Sequence, residues 1–219
     1  MKTAIRSAVI RKLPSRSRFT TDPAFREHLS GCNLRWLGAS RDTVYVLDRR
    51  FRLRGYNETY RRLGMAEGGK GWMRRHGLGF PVFEGFSGFY ADHYRRTYLR
   101  CLETGESHGA LHGGATPVDY RWYRETVRPL GRRAGLLITH HLLQTIPVAD
   151  AARYDPEEHR SADGLVLKCC HCSRVRNCRK PGYWEWLPGL ETQVDEELSH
   201  GLCPRCLNTY YREFLPPGR

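Results

Sequence analysis

Two cysteine pairs constrain this chain more than any other feature: Cys169-Cys170-His171-Cys172 and, about thirty residues later, Cys203-Pro204-Arg205-Cys206. Each C-x-x-C turn presents two sulfurs from one tight loop. Two such turns supply four thiolates to one ion, and tetrahedral zinc suits that donor set. A shell closed by four thiolates leaves no position for water and is structural rather than catalytic. Cys169, Cys172, Cys203 and Cys206 are therefore the expected ligands of a structural zinc, with disulfides or free core thiols as the alternative. Cys169, Cys170, Cys172, Cys178, Cys203 and Cys206 all fall in the last quarter of the chain, and only Cys32 and Cys101 lie outside it. That clustering argues for a local metal module in a reducing cytosol rather than a secreted disulfide framework.

Four neighbours could take part. His171 lies inside the first pair, where its ring points away from an ion more easily than toward it. His200, three residues before Cys203, suits a hydrogen bond to a carbonyl or thiolate. The spacing of Cys178 from Cys172 matches no simple knuckle. Cys170 and Cys178 leave spare thiols beside the centre, which keeps a redox switch open as a reading. Leu165–Lys168 predicts a strand into the first turn. Pro204 after Cys203 predicts a helix start, where backbone N–H groups favour thiolate. The expected arrangement is treble-clef-like, with Trp184, Trp186, Leu187, Tyr210 and Tyr211 packed around the site. About 55 residues bury too little surface to be secure alone, and structural zinc supplies on the order of 10–16 kcal/mol of apparent binding energy.

The rest of the chain is long enough for one ordinary domain: of 219 residues, 40% are hydrophobic, so a buried core is feasible. The net charge of +13 invites a nucleic-acid or anionic-membrane reading. Its distribution weakens that reading, because residues 168–219 hold eight bases against six acids, while residues 41–133 hold eighteen against ten. The excess falls in pairs such as Arg49-Arg50, Arg61-Arg62, Arg74-Arg75 and Arg95-Arg96, which read as solvated faces. Residues 1–21 carry Lys2, Arg6, Arg11, Lys12, Arg16 and Arg18 without an acid before Asp22. They read as a flexible basic tail, an organellar transit peptide being the alternative. No apolar run approaches a membrane span.

Thr21-Asp22-Pro23 predicts a helix start, and Ala24–Leu37 one or two short helices broken at Gly31. Thr43–Leu47 and Phe51–Tyr56 read as a hairpin around Asp48-Arg49-Arg50 with one face buried. Asn57 caps a helix over Glu58–Leu63, residues 65–87 give no firm pattern apart from a turn over Lys70–Arg75, and Phe89–Thr104 is the clearest helix. Its Tyr90, Tyr94, Tyr98 and Cys101 form a core-facing stripe. Strands are predicted at Ser107–Leu111, Val118–Leu130 and Gly135–Leu143. His140 and His141 are adjacent on the last strand and point to opposite faces, so they cannot chelate together. From Gln144 the pattern dissolves, giving a linker over 146–163.

The order strand, turn, strand, Asn, short helices, long helix, three strands resembles a PAS domain over about residues 22–145. Val44–Leu53, Gly55–Leu63 and Glu103-Thr104-Gly105-Glu106 carry the likeness. Leu165–Arg176, Tyr183–Trp186 and Ser199–Cys206 resemble a small cysteine-paired module found at the C-termini of bacterial sensory proteins, often behind PAS domains. The resemblance implies an α+β protein: a PAS-like five-stranded antiparallel sheet with flanking helices over 22–145, then the zinc module over 164–219. It implies bacterial signalling and an intracellular address, and it does not imply a reaction. PAS-like folds accept haem, flavin, other small ligands or nothing. No flavin-type cysteine motif lies in the pocket region, and His93, on the long helix where haem-binding members place a histidine, has a half-polar setting.

No P-loop, nucleophile elbow, HExxH or helix-turn-helix is present. The expected function is a non-enzymatic cytoplasmic sensor or adaptor whose zinc module engages an unidentified signalling protein. A nucleic-acid-binding regulator and a thiol redox sensor are the alternatives. Ala24–Leu37, before the first strand, is the candidate homodimer segment by resemblance alone.

Overall fold

The structure is a computed structural model and describes residues 18–86, 88–116, 118–190, 197–212 and 215–216. Residues 1–17 of the expected tail lie outside the described residues. The tail ends earlier than expected, since Phe19 is buried and Thr20–Thr21 form β1. Asp22 then accepts from Ala24 N–H and starts a 3-10 helix over Pro23–Leu29. Asn33 caps α1 (Leu34–Ala39) through Trp36 N–H, so the break falls at 30–33 as the glycine suggested.

The hairpin is β2 (Thr43–Asp48) and β3 (Leu53–Tyr56). Asp48 builds its turn: one carboxylate oxygen accepts from Arg50 and Arg52 N–H, which holds Phe51 at φ 58°. A non-glycine residue occupies that left-handed region only where the surroundings fix it. Arg54 bonds both Asp48 (2.8 Å) and Asp22 (2.7 Å), tying the turn to the N-terminal segment.

Asn57 is a fully buried hub. Its Oδ1 accepts from Tyr60 N–H, capping α2 (Glu58–Arg75), and from Val44 N–H of β2. Its Nδ2 donates to the carbonyls of Leu37, Ser40 and Asp42. The helix runs three turns beyond the expected Leu63. A 3-10 turn over Val82–Gly85 and α3 (Gly88–Thr104) follow.

Three long strands complete the sheet: β4 (His108–Ala115), β5 (Asp119–Pro129) and β6 (Gly135–Pro147). The order is β1-β3-β2-β6-β5-β4, antiparallel throughout. Among the described residues the sheet has six strands where five were expected. The addition is β1, whose two threonines pair with Gly55 and Tyr56 at the β3 edge. The single buried face expected of the hairpin is also corrected. Tyr45, Leu47, Val127, Leu136 and Ile138 pack under Tyr98, Cys101 and Leu102 of α3. Val44 and Val46, on the opposite face, pack on Phe25, Leu29 and Leu37. Those three apolar residues of the candidate dimer segment are thus spent inside the chain, while Trp36 stays exposed.

The stretch 146–163, read as a linker, holds the end of β6, a 3-10 turn over Val148–Asp150 and α4 (Pro156–His159). His159 is buried there, its Nε2 3.0 Å from Glu185. A second sheet follows, built from β7 (Val166–Cys169), β8 (Arg174–Arg176), β9 (Trp184–Trp186) and β10 (Leu198–Gly201), in the order β10-β7-β8-β9. The final helix is α5 (Pro204–Tyr210). The architecture is α+β, with two largely antiparallel sheets. Among the described residues no helix is long and apolar enough to cross a membrane.

Candidate metal centre

The cysteine turns meet because β7 and β10 run parallel, with Gly201 opposite Cys169. Each strand leads directly into one C-x-x-C turn, so the parallel pairing sets the two turns side by side. The first closes through Ser173, whose φ of 58° lets its N–H donate to the Cys169 carbonyl. In the second, Cys203 is the N-cap of α5: its sulfur accepts from Cys206 N–H, and its own N–H donates to the Cys169 sulfur.

Cys169, Cys172, Cys203 and Cys206 are all buried, and their sulfurs lie within 4.8 Å of one another. The Cys172 and Cys203 sulfurs are 3.7 Å apart. Two thiolates about 2.3 Å from one tetrahedral ion stand about 3.8 Å apart, so this spacing fits zinc without rearrangement. In the absence of a cation the four thiols compete for ionisation. Hydrogen bonds from Cys169, Cys203 and Cys206, then Arg174, hold Cys172 far below the ordinary thiol value. Cys206 is pushed far above it by Cys169, Cys172 and Cys203. A divalent ion resolves that conflict by stabilising all four thiolates together. The cluster can therefore hold a metal ion such as zinc.

Arg174 supplies the outer charge. Its Nε donates to the Cys172 sulfur (3.4 Å), a terminal nitrogen to the Cys203 sulfur (3.2 Å), and the other to the Trp184 carbonyl (3.3 Å). The same guanidinium lies over the Trp122 ring of β5 at 4.6 Å, and Arg205 over that ring at 4.3 Å. Cationic groups on an indole face attract its quadrupole, so the metal centre and the first sheet share these residues.

The other candidate ligands stand apart. The His171 ring faces the Tyr90 and Tyr211 hydroxyls. His200 is exposed on β10 and Cys170 is exposed. The Cys178 sulfur lies against the His159 carbonyl at 3.6 Å. Of the expected packing shell, Trp184 and Tyr210 are buried against the four cysteines, with Tyr211 partly so. Trp186 and Leu187 are corrected: Trp186 packs on Tyr120 and Trp122, and Leu187 joins Val166, Val175 and Leu190. The tyrosine stripe of α3 divides between two cores, since Tyr98 lies in the first and Tyr90 packs at the cysteine cluster. His93 meets Tyr210 edge-on, with ring centroids 5.0 Å apart.

A second group was missed by reading the sequence: His112, Glu125 and His140, whose ligand atoms also lie within 4.8 Å of one another. Burial lowers His112 to about 4, and burial, then the neighbouring His112, lowers His140 to about 3. Burial raises Glu125 to about 7, against a hydrogen bond from Tyr98. Each direction is that of a charge taken out of water. The available signal was alternation: Glu125 occupies an inward position of a strand two residues from Val127. His141 faces the other way, to Asp42 at 2.7 Å, as the two-residue period requires.

No protein-family model matches this chain, and no curated protein matches it.

Proposed function

We propose that this chain is a non-enzymatic cytoplasmic signal sensor and adaptor, in which a PAS-like unit over residues 22–145 acts on a zinc-stabilised module over 164–219 that engages a protein partner. The observation that carries the reading is the seam between the two. Tyr90, on the first turn of α3, bonds the His171 carbonyl and ring, and the same ring reaches Tyr211 at 3.1 Å. Phe89 stacks on Tyr211 at 4.5 Å. A helix whose other end packs in the first core thus also packs on the first cysteine turn. A change in that core has a short rigid route to the metal centre. The antiparallel strands in the element order of a PAS domain support the first half of the reading. Knuckles on a strand end and at a helix start, in a treble-clef-like arrangement, support the second.

Hydrogen exchange on the full chain tests the route. Tyr90→Phe and Phe89→Ala are expected to speed exchange in α5 and in the first cysteine turn; unchanged exchange there would remove the coupling. Turnover of phosphoryl or nucleotide substrates by the pure protein would overturn the non-enzymatic reading.

One observation favours a second reading, binding of nucleic acid. A cleft of about 760 Å³ between α3, β4 and α5 is lined by Arg96, Arg100, Arg205 and Arg212 with His93 and His108. Backbone binding there predicts affinity that falls steeply with salt through counterion release. Absent or salt-independent binding dismisses it.

A further inference from the structure

β6, β5 and β4 lie side by side, and each sends one metal-ligating side chain to a common point. Glu125 of β5 sits directly opposite His140 of β6. His112 of β4 sits opposite Tyr123, two residues along β5 from Glu125. His112 Nε2 and His140 Nδ1 are 3.2 Å apart. Two ligand atoms each about 2.0–2.1 Å from one ion stand about 2.9–3.4 Å apart in octahedral or tetrahedral geometry. The two nitrogens already have that spacing.

Glu125 strengthens the case. It is 1% exposed, and its Oε1 accepts from the Tyr98 hydroxyl at 3.0 Å. Its Oε2 is buried with no hydrogen-bond partner among the described residues. An orphaned buried carboxylate oxygen is costly unless a proton or a cation meets it. The far side of the His140 ring is held as metal-binding histidines are held. Its Nε2 lies 3.2 Å from the Tyr45 hydroxyl, which fixes the ring and leaves Nδ1 facing the cluster.

The group Glu158, His159 and Glu185 is equally compact but differs in chemistry. There Nδ1 of His159 is taken by the Asp155 backbone and Nε2 by Glu185, while Asn177 donates to both carboxylates. Both ring nitrogens of His159 and one oxygen of each carboxylate are already engaged within that network. The group in the first sheet is open at Glu125.

We propose that His112, Glu125 and His140 form a second metal site, separate from the cysteine centre, for a divalent first-row transition ion. Two imidazoles and one carboxylate suit zinc or iron(II), and three protein ligands leave at least one coordination position for water or a small ligand. The site stands independently of the sensor and adaptor role.

Cobalt(II) titration of the tag-free 219-residue chain tests it, because the two sites give different spectra. The first equivalent fills the cysteine centre and brings intense thiolate-to-metal charge-transfer absorption. A second equivalent is expected to bind without adding to that absorption. Glu125→Gln, which keeps an acceptor for Tyr98, and His112→Ala are each expected to weaken the second equivalent at least about tenfold and leave the first intact. His141→Ala, one residue away on the opposite face, should keep both. Saturation at one equivalent in the wild type overturns the proposal, as does a second equivalent undiminished in Glu125→Gln. Those two results decide the matter even if His112→Ala fails to fold.

Discussion

Arg174→Met removes the guanidinium that faces the cysteine centre while keeping much of the apolar stem. A zinc ion with four thiolates is a buried, negatively charged group, and Arg174 contributes two hydrogen bonds to its sulfurs at 3.4 and 3.2 Å. Hydrogen bonds to charged groups contribute about 1.5–3 kcal/mol each. The bonds persist in part without metal, because the same guanidinium N–H groups still face the two sulfurs. About half of their sum therefore bears on zinc affinity, or about 2 kcal/mol, which is roughly 30-fold. Loss of an outer hydrogen-bond partner at other metal sites weakens binding about 10–100-fold, a range that brackets this figure. Competition with a chromophoric chelator measures it. Arg174→Lys, which keeps a point charge but not the fork spanning both sulfurs, should recover only part of the loss. A zinc affinity within about twofold of wild type in Arg174→Met would refute the reasoning, because the guanidinium would then play no part in holding the thiolates charged.

Three further outcomes follow from the same contacts. Asn57→Ala strips the cap of α2 and leaves the buried Val44 N–H and three carbonyls short of a partner, so urea titration should report a loss of about 3 kcal/mol; a loss below about 1 kcal/mol would contradict the hub. Trp122→Ala removes the ring shared with Arg174 and Arg205 and should destabilise by about 3–5 kcal/mol and split unfolding into two transitions, where a single unshifted transition would contradict it. For Glu125, the folded value of about 7 lies above the ordinary carboxyl value of 4.5, so the native state binds the extra proton and stability falls as pH rises between them. In protein carrying only the first zinc equivalent, Glu125→Gln should therefore gain on wild type by about 3 kcal/mol from pH 4.5 to 7, and a flat difference would dismiss the buried neutral carboxyl.

Much of this was legible because local chemistry dictated it. The cysteine spacing marked all four members of the cluster, Asp48 and Asn57 marked a turn and a cap, and the three-and-four spacing of Tyr94, Tyr98 and Cys101 marked α3. What escaped depends on register and on elements far apart in the chain. The parallel pairing of β7 with β10 joins strands about thirty residues apart, and nothing local in Leu198–Gly201 announces it. His112, Glu125 and His140 converge only once three strands are aligned, with a register shift at Trp122/Tyr123. The second half of α2 contains Gly68, Gly69 and Gly71, so intrinsic propensity opposes the helix that forms there. Trp186 and Leu187 lie close to Trp184 in sequence, yet neither joins the cysteine cluster. Trp186 shares the β9 face of Trp184 but sits one pair further along the strand, against Tyr120 and Trp122, while Leu187, of opposite parity, joins Val166, Val175 and Leu190.

Zinc-edge X-ray absorption on the whole 219-residue chain loaded with one equivalent of zinc tests the central claim most directly. The account predicts a first shell of four sulfurs at about 2.3 Å with no light-atom ligand. A shell of nitrogen or oxygen, or a protein that takes up no zinc because Cys169, Cys172, Cys203 and Cys206 are joined as disulfides under reducing purification, would contradict it.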